Sequence, residues 1–193
     1  MIKKQIPNLF TLLNLFFGCV AIVYITEPGI VITTGAEGQS LIEMPQQIYR
    51  ASLCLAIAAV VDYFDGFLAR LLDSSSEMGK QLDSLSDVVS FGVAPGLILF
   101  QLLRISFAAE PDGLDTPFYW MLPALLVPMA AAWRLARFNL DTTDRGHFVG
   151  LPVPAAGLLI ASLPLLMLYN PMNIQLIIVN KWFLYAIIIL ISW

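Results

Sequence analysis

Four aspartates stand at helical spacings in the segment DYFDGFLARLLDSSSEMGKQLDSLSD, which runs from Asp62 to Asp87. Asp62 and Asp65 lie near the end of one apolar stretch, and Asp83 and Asp87 lie at the start of the next. An aspartate at the centre of a bilayer costs about 2.5 to 3.5 kcal/mol on insertion scales, so these side chains need a compensating partner. Carboxylate oxygens are the ligands that Mg²⁺ and Mn²⁺ prefer. The segment therefore predicts a site for hard divalent cations.

Helical geometry places these aspartates on two facing stripes. At about 100° per residue, Asp65 falls within roughly 60° of Asp62 on one helix, and Asp87 falls about 40° from Asp83 on the next. The connecting turn DSSSEMGK is short, so the two helices are predicted to be antiparallel neighbours. The two stripes then face each other and form one cage of oxygen ligands.

Small residues accompany the aspartates. Gly66 and Ala69 lie on the face of the first two aspartates, and Gly79 lies one turn before the third, so a flat or extended ligand has room against the helix backbone. Arg70, one position beyond this small face, can reach a phosphate. Cations, a groove of small residues and an arginine suit phosphoryl transfer, in which a carboxylate can also serve as general base.

The complete spacing, D-x2-D-G-x2-A-R-x8-G-x3-D-x3-D, resembles the signature of the CDP-alcohol phosphotransferases. Its eight fixed positions are Asp62, Asp65, Gly66, Ala69, Arg70, Gly79, Asp83 and Asp87. The resemblance implies that the aspartates hold two divalent cations, Mg²⁺ or Mn²⁺, and that Asp87 is also the catalytic base. It further implies that the three small residues make space for the cytidine diphosphate part of the donor. Arg70 is then expected to meet the phosphates.

Three further stretches resemble the phosphatidylserine synthase branch of that family: IPNLFTLLNLFFG, SDVVSFGVAPG, and RLARFN followed by GLPVPAAG. With the signature, the resemblance covers about residues 5 to 160. It implies a homodimer that transfers the phosphatidyl group of CDP-diacylglycerol to L-serine, giving phosphatidylserine and CMP. It also implies that Asn8 and Thr11 approach the nucleotide. A helix cap and a backbone-bonded hydroxyl are the structural alternatives for these two residues.

Two arginines stand one helical turn apart in the fourth apolar stretch. Arg134 and Arg137 share a helix face near the inner membrane surface, where the carboxylate of an amino-acid acceptor needs a cation. We expect one of them to bind the serine carboxylate, with Asn139, Ser90 or Asn14 orienting the acceptor. Anchoring of a helix end at the inner surface explains the two arginines equally well.

Membrane-spanning helices must position all of these residues. Of the 193 residues, 59% are hydrophobic and 12% charged, and the mean hydropathy is +0.80. Apolar helices of roughly 17 to 25 residues cross a hydrocarbon core, and such spans are predicted near residues 8–26, 49–71, 82–103, 118–138 and 151–169. A sixth begins between residues 174 and 182, where Asn180 and Lys181 interrupt the apolar pattern.

We therefore expect an all-α, polytopic transmembrane bundle of about six helices that forms a single domain over residues 1–193. The sequence ends on the apolar run FLYAIIILISW without a polar tail, and we expect the natural protein to continue beyond it. The first span lacks a convincing cleavage site behind it, so it is predicted to be an anchor and not a removed signal.

The distribution of basic residues predicts the orientation. With the N-terminus inside, three basic residues lie on the outer side, namely Arg50, Arg104 and Lys181. The inner side carries Lys3, Lys4, Arg70, Lys80, Arg134, Arg137 and Arg145. Because positive charge is retained inside, we expect a multi-pass protein of the cell (inner) membrane with its N-terminus and its aspartates on the cytoplasmic side.

Composition and spacing argue against several other classes. A net charge of −4 gives no support for nucleic-acid binding, and zinc is disfavoured because the sole histidine, His147, lies away from the aspartates. A cation transporter also carries acidic residues inside helices, but here these residues cluster at one membrane side. Within the enzyme class, a phosphatidylglycerophosphate or phosphatidylinositol-phosphate synthase would share the signature and differ in its acceptor.

Overall fold

The computed structural model describes residues 6–27, 31–34, 40–43, 45–72, 76–110, 115–140, 151–169 and 174–193. Its helices are α1 (Ile6–Thr26), α2 (Gln46–Leu71), α3 (Glu77–Asp87), α4 (Ala94–Ala108), α5 (Leu126–Leu140), α6 (Val153–Tyr169), α7 (Ile174–Ile178) and α8 (Lys181–Ser192). A π-helical segment, Val88–Val93, joins α3 to α4, and a 3₁₀ segment, Phe118–Leu125, leads into α5. Lys3, Lys4, Arg145 and His147 lie outside the described residues.

Four helical stretches are long and apolar enough to cross a membrane: Pro7–Thr26, Gln46–Leu68, Glu77–Ala108 and Phe118–Leu140. Val153–Leu168 and Lys181–Ser192 are shorter apolar helices. The prediction of an all-α transmembrane bundle of about six helices is therefore confirmed. The third span begins at Glu77 instead of near residue 82, because polar residues of its first turns also belong to the helix.

Side-chain caps explain where two of the helices begin. The Ser76 hydroxyl accepts a hydrogen bond from the amide of Gly79 at 3.0 Å, so α3 starts before the apolar pattern does. The Asn180 side-chain oxygen accepts from the amides of Trp182 at 2.9 Å and Phe183 at 3.4 Å. The polar interruption predicted in the sixth span is thus a helix boundary, with the short α7 on one side and α8 on the other.

A short antiparallel hairpin between α1 and α2 is the one addition to the helical bundle among the described residues. Strand β1 (Val31–Thr34) pairs with β2 (Ser40–Glu43). The β-branched sequence VITT favours an extended backbone. Hydropathy alone did not predict these strands, because each has only four residues.

The core lies around α4, which packs against helices on several sides. Its residues Ile98, Leu99 and Leu102 are fully buried, together with Leu55 of α2 and Leu184 of α8. Many large apolar side chains elsewhere are exposed on the outside of the bundle, as lipid-facing helix surfaces require.

Glycines allow close approach where the π-helical segment and α4 meet their neighbours. A Cβ atom at Gly96 would lie 2.8 Å from Pro128 Cδ of α5, and one at Gly157 of α6 would lie 2.9 Å from the Phe91 backbone. Small residues at helix contacts let backbones come together in membranes. This tight packing holds the segment that follows Asp87.

Candidate metal centre

Carboxylates from two helices meet between α2 and α3. Asp62 of α2 and Asp83 and Asp87 of α3 each offer one oxygen, and these oxygens all lie within 4.8 Å of one another. Asp62 and Asp83 are half-buried, whereas Asp87 is 6% exposed. Such a set of converging carboxylate oxygens suits a hard divalent cation such as Mg²⁺ or Mn²⁺.

Asp65, the fourth predicted ligand, lies one helical turn from Asp62 in α2 but is not one of the three aspartates whose oxygens converge within 4.8 Å. Asp65 is buried. Its Oδ2 atom is buried without a hydrogen-bond partner among the described residues. An unsatisfied carboxylate oxygen is costly inside a protein, and a bound cation would satisfy it. The residues present therefore fit the predicted divalent cations.

A buried asparagine of α1 connects the two acidic helices. The Nδ2 atom of Asn14 donates to Oδ1 of Asp62 at 3.1 Å and to Oδ1 of Asp87 at 3.4 Å. Asn14 is fully buried. From the sequence, Asn14 was predicted only to orient the acceptor. A polar amide within an apolar span is the sequence feature that could have indicated a contact between helices.

Two serine hydroxyls fasten α3 and the π-helical segment to α1. Ser86 donates to the carbonyl of Thr11 at 3.1 Å, and Ser90 donates to the carbonyl of Asn14 at 3.2 Å. Both serines are fully buried. Gly18 permits this contact, because a Cβ atom there would lie 2.3 Å from the Ser90 hydroxyl oxygen. Helix α1 is thereby held directly against the aspartates.

The predicted small face is open at Gly66. The nearest described atom that a Cβ atom at Gly66 would meet, apart from the backbone of its own helix, is Nη2 of Arg70 at 3.9 Å. Arg70 is exposed, and its Nε donates to the Gly66 carbonyl at 3.1 Å. The space beside Gly66 can therefore admit a ligand with a guanidinium group at its edge. The side chain of Ala69 lies outside the described part of the chain.

Gly79 lies against the beginning of α1. A Cβ atom at Gly79 would stand 3.0 Å from Oδ1 of Asn8 and 3.1 Å from the hydroxyl oxygen of Ser76. The Thr11 hydroxyl donates to the carbonyl of Pro7 at 3.2 Å, which is the backbone contact foreseen as a structural alternative. Asn8 thus lies beside the first turn of α3, whereas the Thr11 carbonyl meets Ser86 near the end of that helix.

The two arginines of α5 differ in their surroundings. Arg134 is half-buried, and its Nη1 donates to the carbonyl of Leu151 just before α6 at 3.3 Å. Arg137 is exposed. The contact of Arg134 supports a structural role for that residue, whereas the exposed guanidinium of Arg137 is accessible to a ligand.

Besides Asn14, the two other uncharged acceptor candidates contact other elements of the site. Asn139 of α5 donates from Nδ2 to the hydroxyl of Ser84 at 2.7 Å, next to Asp83 in α3. Ser90 is fully buried and uses its hydroxyl in the contact with α1. The structure therefore brings Asn139 to the aspartate helix and places Ser90 between helices.

Comparison with known proteins shows which family the chain resembles. Residues 4–193 match the family model described as CDP-alcohol phosphatidyltransferase. The chain is 34% identical over 124 residues to the CDP-diacylglycerol–serine O-phosphatidyltransferase of Bacillus subtilis (strain 168), a match that covers 64% of each chain. The protein of that name from Helicobacter pylori (strain J99) is 33% identical over 156 residues, which are 80% of this chain and 54% of the relative.

A relative of the same name from Saccharomyces cerevisiae is 38% identical over 119 residues, covering 57% of this chain and 39% of that protein. The matches thus span less than two thirds of the length of these relatives. The family model, in contrast, extends over nearly the whole chain and includes all four aspartates. This chain belongs to the CDP-alcohol phosphatidyltransferase family.

Proposed function

We propose that this protein transfers the phosphatidyl group of CDP-diacylglycerol to the hydroxyl of L-serine and releases CMP. The observation that carries the proposal is the convergence of Asp62, Asp83 and Asp87, whose carboxylate oxygens lie within 4.8 Å of one another. The names of the relatives from Bacillus subtilis and Helicobacter pylori support CDP-diacylglycerol as donor and serine as acceptor.

The aspartates of α2 and α3 are proposed to hold two divalent cations, Mg²⁺ or Mn²⁺. The ligands would be Asp62, Asp65, Asp83 and Asp87. Cations at this position would neutralise the diphosphate of the donor and polarise the bond that breaks. The unsatisfied Oδ2 atom of Asp65 supports this proposal, because burial without a partner is unfavourable for a carboxylate.

The cytidine diphosphate part of the donor is proposed to lie along the small face. Gly66, Ala69 and Gly79 would leave space for it, and Asn8 and Thr11 of α1 would border the same space. The open surroundings of Gly66 support this arrangement, whereas the space beside Gly79 is bordered closely by the side chains of Asn8 and Ser76.

Arg70 is suited to binding the donor phosphates. Its Nε donates to the neutral carbonyl of Gly66 at 3.1 Å. A phosphate carries negative charge and can accept two parallel bonds from a guanidinium, so it attracts Arg70 more strongly than a neutral carbonyl does. The exposed guanidinium can therefore exchange its carbonyl partner for a phosphate at the edge of the small face.

The transfer step places the proton on Asp87. The serine hydroxyl oxygen attacks the phosphorus atom that bears the diacylglycerol group, and a new phosphorus–oxygen bond forms. The bond from that phosphorus to the bridging oxygen breaks, and CMP leaves with the electron pair. The hydroxyl proton passes to an Asp87 oxygen. Asn14 donates to Oδ1 of Asp87 at 3.4 Å, so its amide orients the carboxylate that would take the proton.

Residues of α5 are proposed to bind the serine acceptor. Arg137 is the better candidate for the serine carboxylate because it is exposed, whereas Arg134 already contacts the Leu151 carbonyl. Asn139 and Ser90 are proposed to orient the acceptor, directly or through their contacts with α3 and α1. The distribution of basic residues supports a position of this site on the cytoplasmic side of the cell membrane. A homodimer is proposed from the family resemblance.

An acceptor panel tests the proposed function. The purified chain in lipid nanodiscs is given CDP-diacylglycerol and Mg²⁺ or Mn²⁺ with labelled serine, glycerol 3-phosphate or inositol phosphate. We expect CMP and a labelled lipid with serine alone. A product with glycerol 3-phosphate or inositol phosphate would instead assign the protein to another synthase of the family. Absence of CMP with every acceptor would contradict the proposal.

A further inference from the structure

One amide group links carboxylates from two different helices. The Nδ2 atom of Asn14 on α1 donates to Asp62 of α2 and to Asp87 of α3, at 3.1 Å and 3.4 Å. Each bond ends on the Oδ1 atom of its aspartate. A side-chain amide carries two hydrogens, and an ionised carboxylate accepts without donating. Both hydrogens are therefore used, and one oxygen of each carboxylate remains for another partner.

This arrangement also opposes the repulsion between the two acidic helices. Asp62 and Asp87 have carboxylate oxygens within 4.8 Å of each other, and like charges destabilise each other strongly where water is excluded. A donor placed between them stabilises both charges and fixes their orientation before a cation arrives. The Asn14 amide therefore helps to fix the distance between the Asp62 and Asp87 carboxylates.

The backbone of Asn14 is fixed against the π-helical segment. Its main-chain carbonyl accepts a hydrogen bond from Ser90 at 3.2 Å, and the residue is fully buried, with its side-chain oxygen unpartnered among the described residues. The close approach at Gly18, one helical turn further along α1, keeps this part of α1 against the π-helical segment. Because no surface of Asn14 is exposed, a direct contact of its side chain with the acceptor is disfavoured, and a role through the aspartates is favoured.

We propose that Asn14 is a positioning residue for the cation site, in which its amide sets the spacing of the Asp62 and Asp87 carboxylates. This inference rests on the proposed function of the same site. Residues that orient metal ligands without touching the metal typically change metal affinity by about ten- to a hundredfold when they are replaced. Loss of the Asn14 amide is expected to weaken divalent-cation binding by a similar factor.

The test is Mn²⁺ binding to the purified full chain, measured by electron paramagnetic resonance without substrates. Asn14→Leu keeps a similar volume but removes the donor, and Asn14→Ala removes the donor in a smaller side chain. Asn14→Gln retains an amide and should keep more affinity than either. Ser52→Ala is the matched control, because Ser52 is also buried and its hydroxyl donates to the Ile48 carbonyl of its own helix, at 3.2 Å, and to no other described residue.

We expect Asn14→Leu and Asn14→Ala to raise the Mn²⁺ dissociation constant about ten- to a hundredfold, with thermal unfolding close to that of Ser52→Ala. If the leucine variant does not fold, the alanine variant decides. A folded variant that binds Mn²⁺ within twofold of the parent would overturn the inference, as would a parent chain that binds no Mn²⁺. If the parent binds Mn²⁺ and the variants do not, but CMP is never released from CDP-diacylglycerol, the positioning role stands and the proposed function fails.

Discussion

The backbone of Gly18 lies so close to Ser90 that a Cβ atom at position 18 would stand 2.3 Å from the Ser90 hydroxyl oxygen and 3.0 Å from its Cα atom. That hydroxyl is buried and donates to the carbonyl of Asn14. The packing of α1 against the π-helical segment and the placement of the Asn14 amide therefore depend on the same contact.

This contact predicts that Gly18→Ala destabilises the protein. Overpacking typically costs about 1 to 3 kcal/mol, which exceeds the roughly 0.5 to 1 kcal/mol that alanine gains over glycine within a helix. Gly66→Ala is the matched control, because its new Cβ atom would have Arg70 Nη2 no closer than 3.9 Å. Thermal unfolding in detergent should place Gly18→Ala below the parent and Gly66→Ala at or above it. Equal unfolding temperatures for the two variants would contradict this packing.

Removal of divalent cations should abolish activity. Among the described residues, no lysine or arginine forms an ion pair with the converging aspartates. Their negative charges therefore need bound cations for function. CMP release should stop in excess EDTA and return with Mg²⁺ or Mn²⁺, while EDTA saturated beforehand with Mg²⁺ should have no effect. Full activity after thorough metal stripping would rule out the cation site.

A large side chain on the small face should prevent donor binding without affecting folding. Gly66→Leu should raise helix propensity, yet its side chain would occupy the open space proposed for the nucleotide. We expect loss of CDP-diacylglycerol binding with normal unfolding behaviour. Val60→Leu is the control, since Val60 is exposed on the same helix. Normal donor binding by a folded Gly66→Leu variant would place the nucleotide elsewhere.

The arginines of α5 allow acceptor binding to be tested independently of donor binding. A charge-assisted hydrogen bond contributes about 1.5 to 3 kcal/mol, so Arg137→Gln should raise the serine concentration for half-maximal rate about ten- to a hundredfold. Arg134→Gln should have a smaller effect on serine use, because Arg134 contacts the Leu151 carbonyl. The affinity of both variants for CDP-diacylglycerol should not change. Arg50→Gln serves as the control, because Arg50 is an exposed arginine at the start of α2. Unchanged serine dependence in both α5 variants would favour membrane anchoring.

Apolar runs predicted the helices because a span in lipid must satisfy its backbone internally and needs about 20 residues to cross. The break at Asn180 was visible for the same reason, since a polar residue interrupts an apolar run. The π-helical segment Val88–Val93 was not predictable, because its form depends on neighbours from other helices, such as Ala131, which lies 3.0 Å from the Cβ position of Gly92. Local sequence carries no equivalent signal.

The contacts of the candidate site were likewise predictable from the sequence only in part. The convergence of Asp62, Asp83 and Asp87 could be predicted, because helical spacing and a short turn determine which faces meet. The bonds of Asn14 to two of these aspartates could not, because they depend on the rotation of α1 about its axis, which is set by tertiary contacts at Gly18 and elsewhere.

The most direct test of the aspartate site as a reaction centre compares Asp87→Asn with Asp83→Asn. Asparagine keeps the size of the side chain and one oxygen but removes the basic carboxylate, and a positioned base typically contributes about a hundred- to ten-thousandfold to the rate. CDP-diacylglycerol affinity in Mg²⁺ and CMP release at saturating serine are measured for both variants. Asp87→Asn should retain much of the donor affinity while CMP release falls at least about a hundredfold, and Asp83→Asn should lose donor affinity as well. CMP release by Asp87→Asn at the parental rate, or loss of donor affinity as complete as in Asp83→Asn, would contradict the assignment of Asp87 as the base.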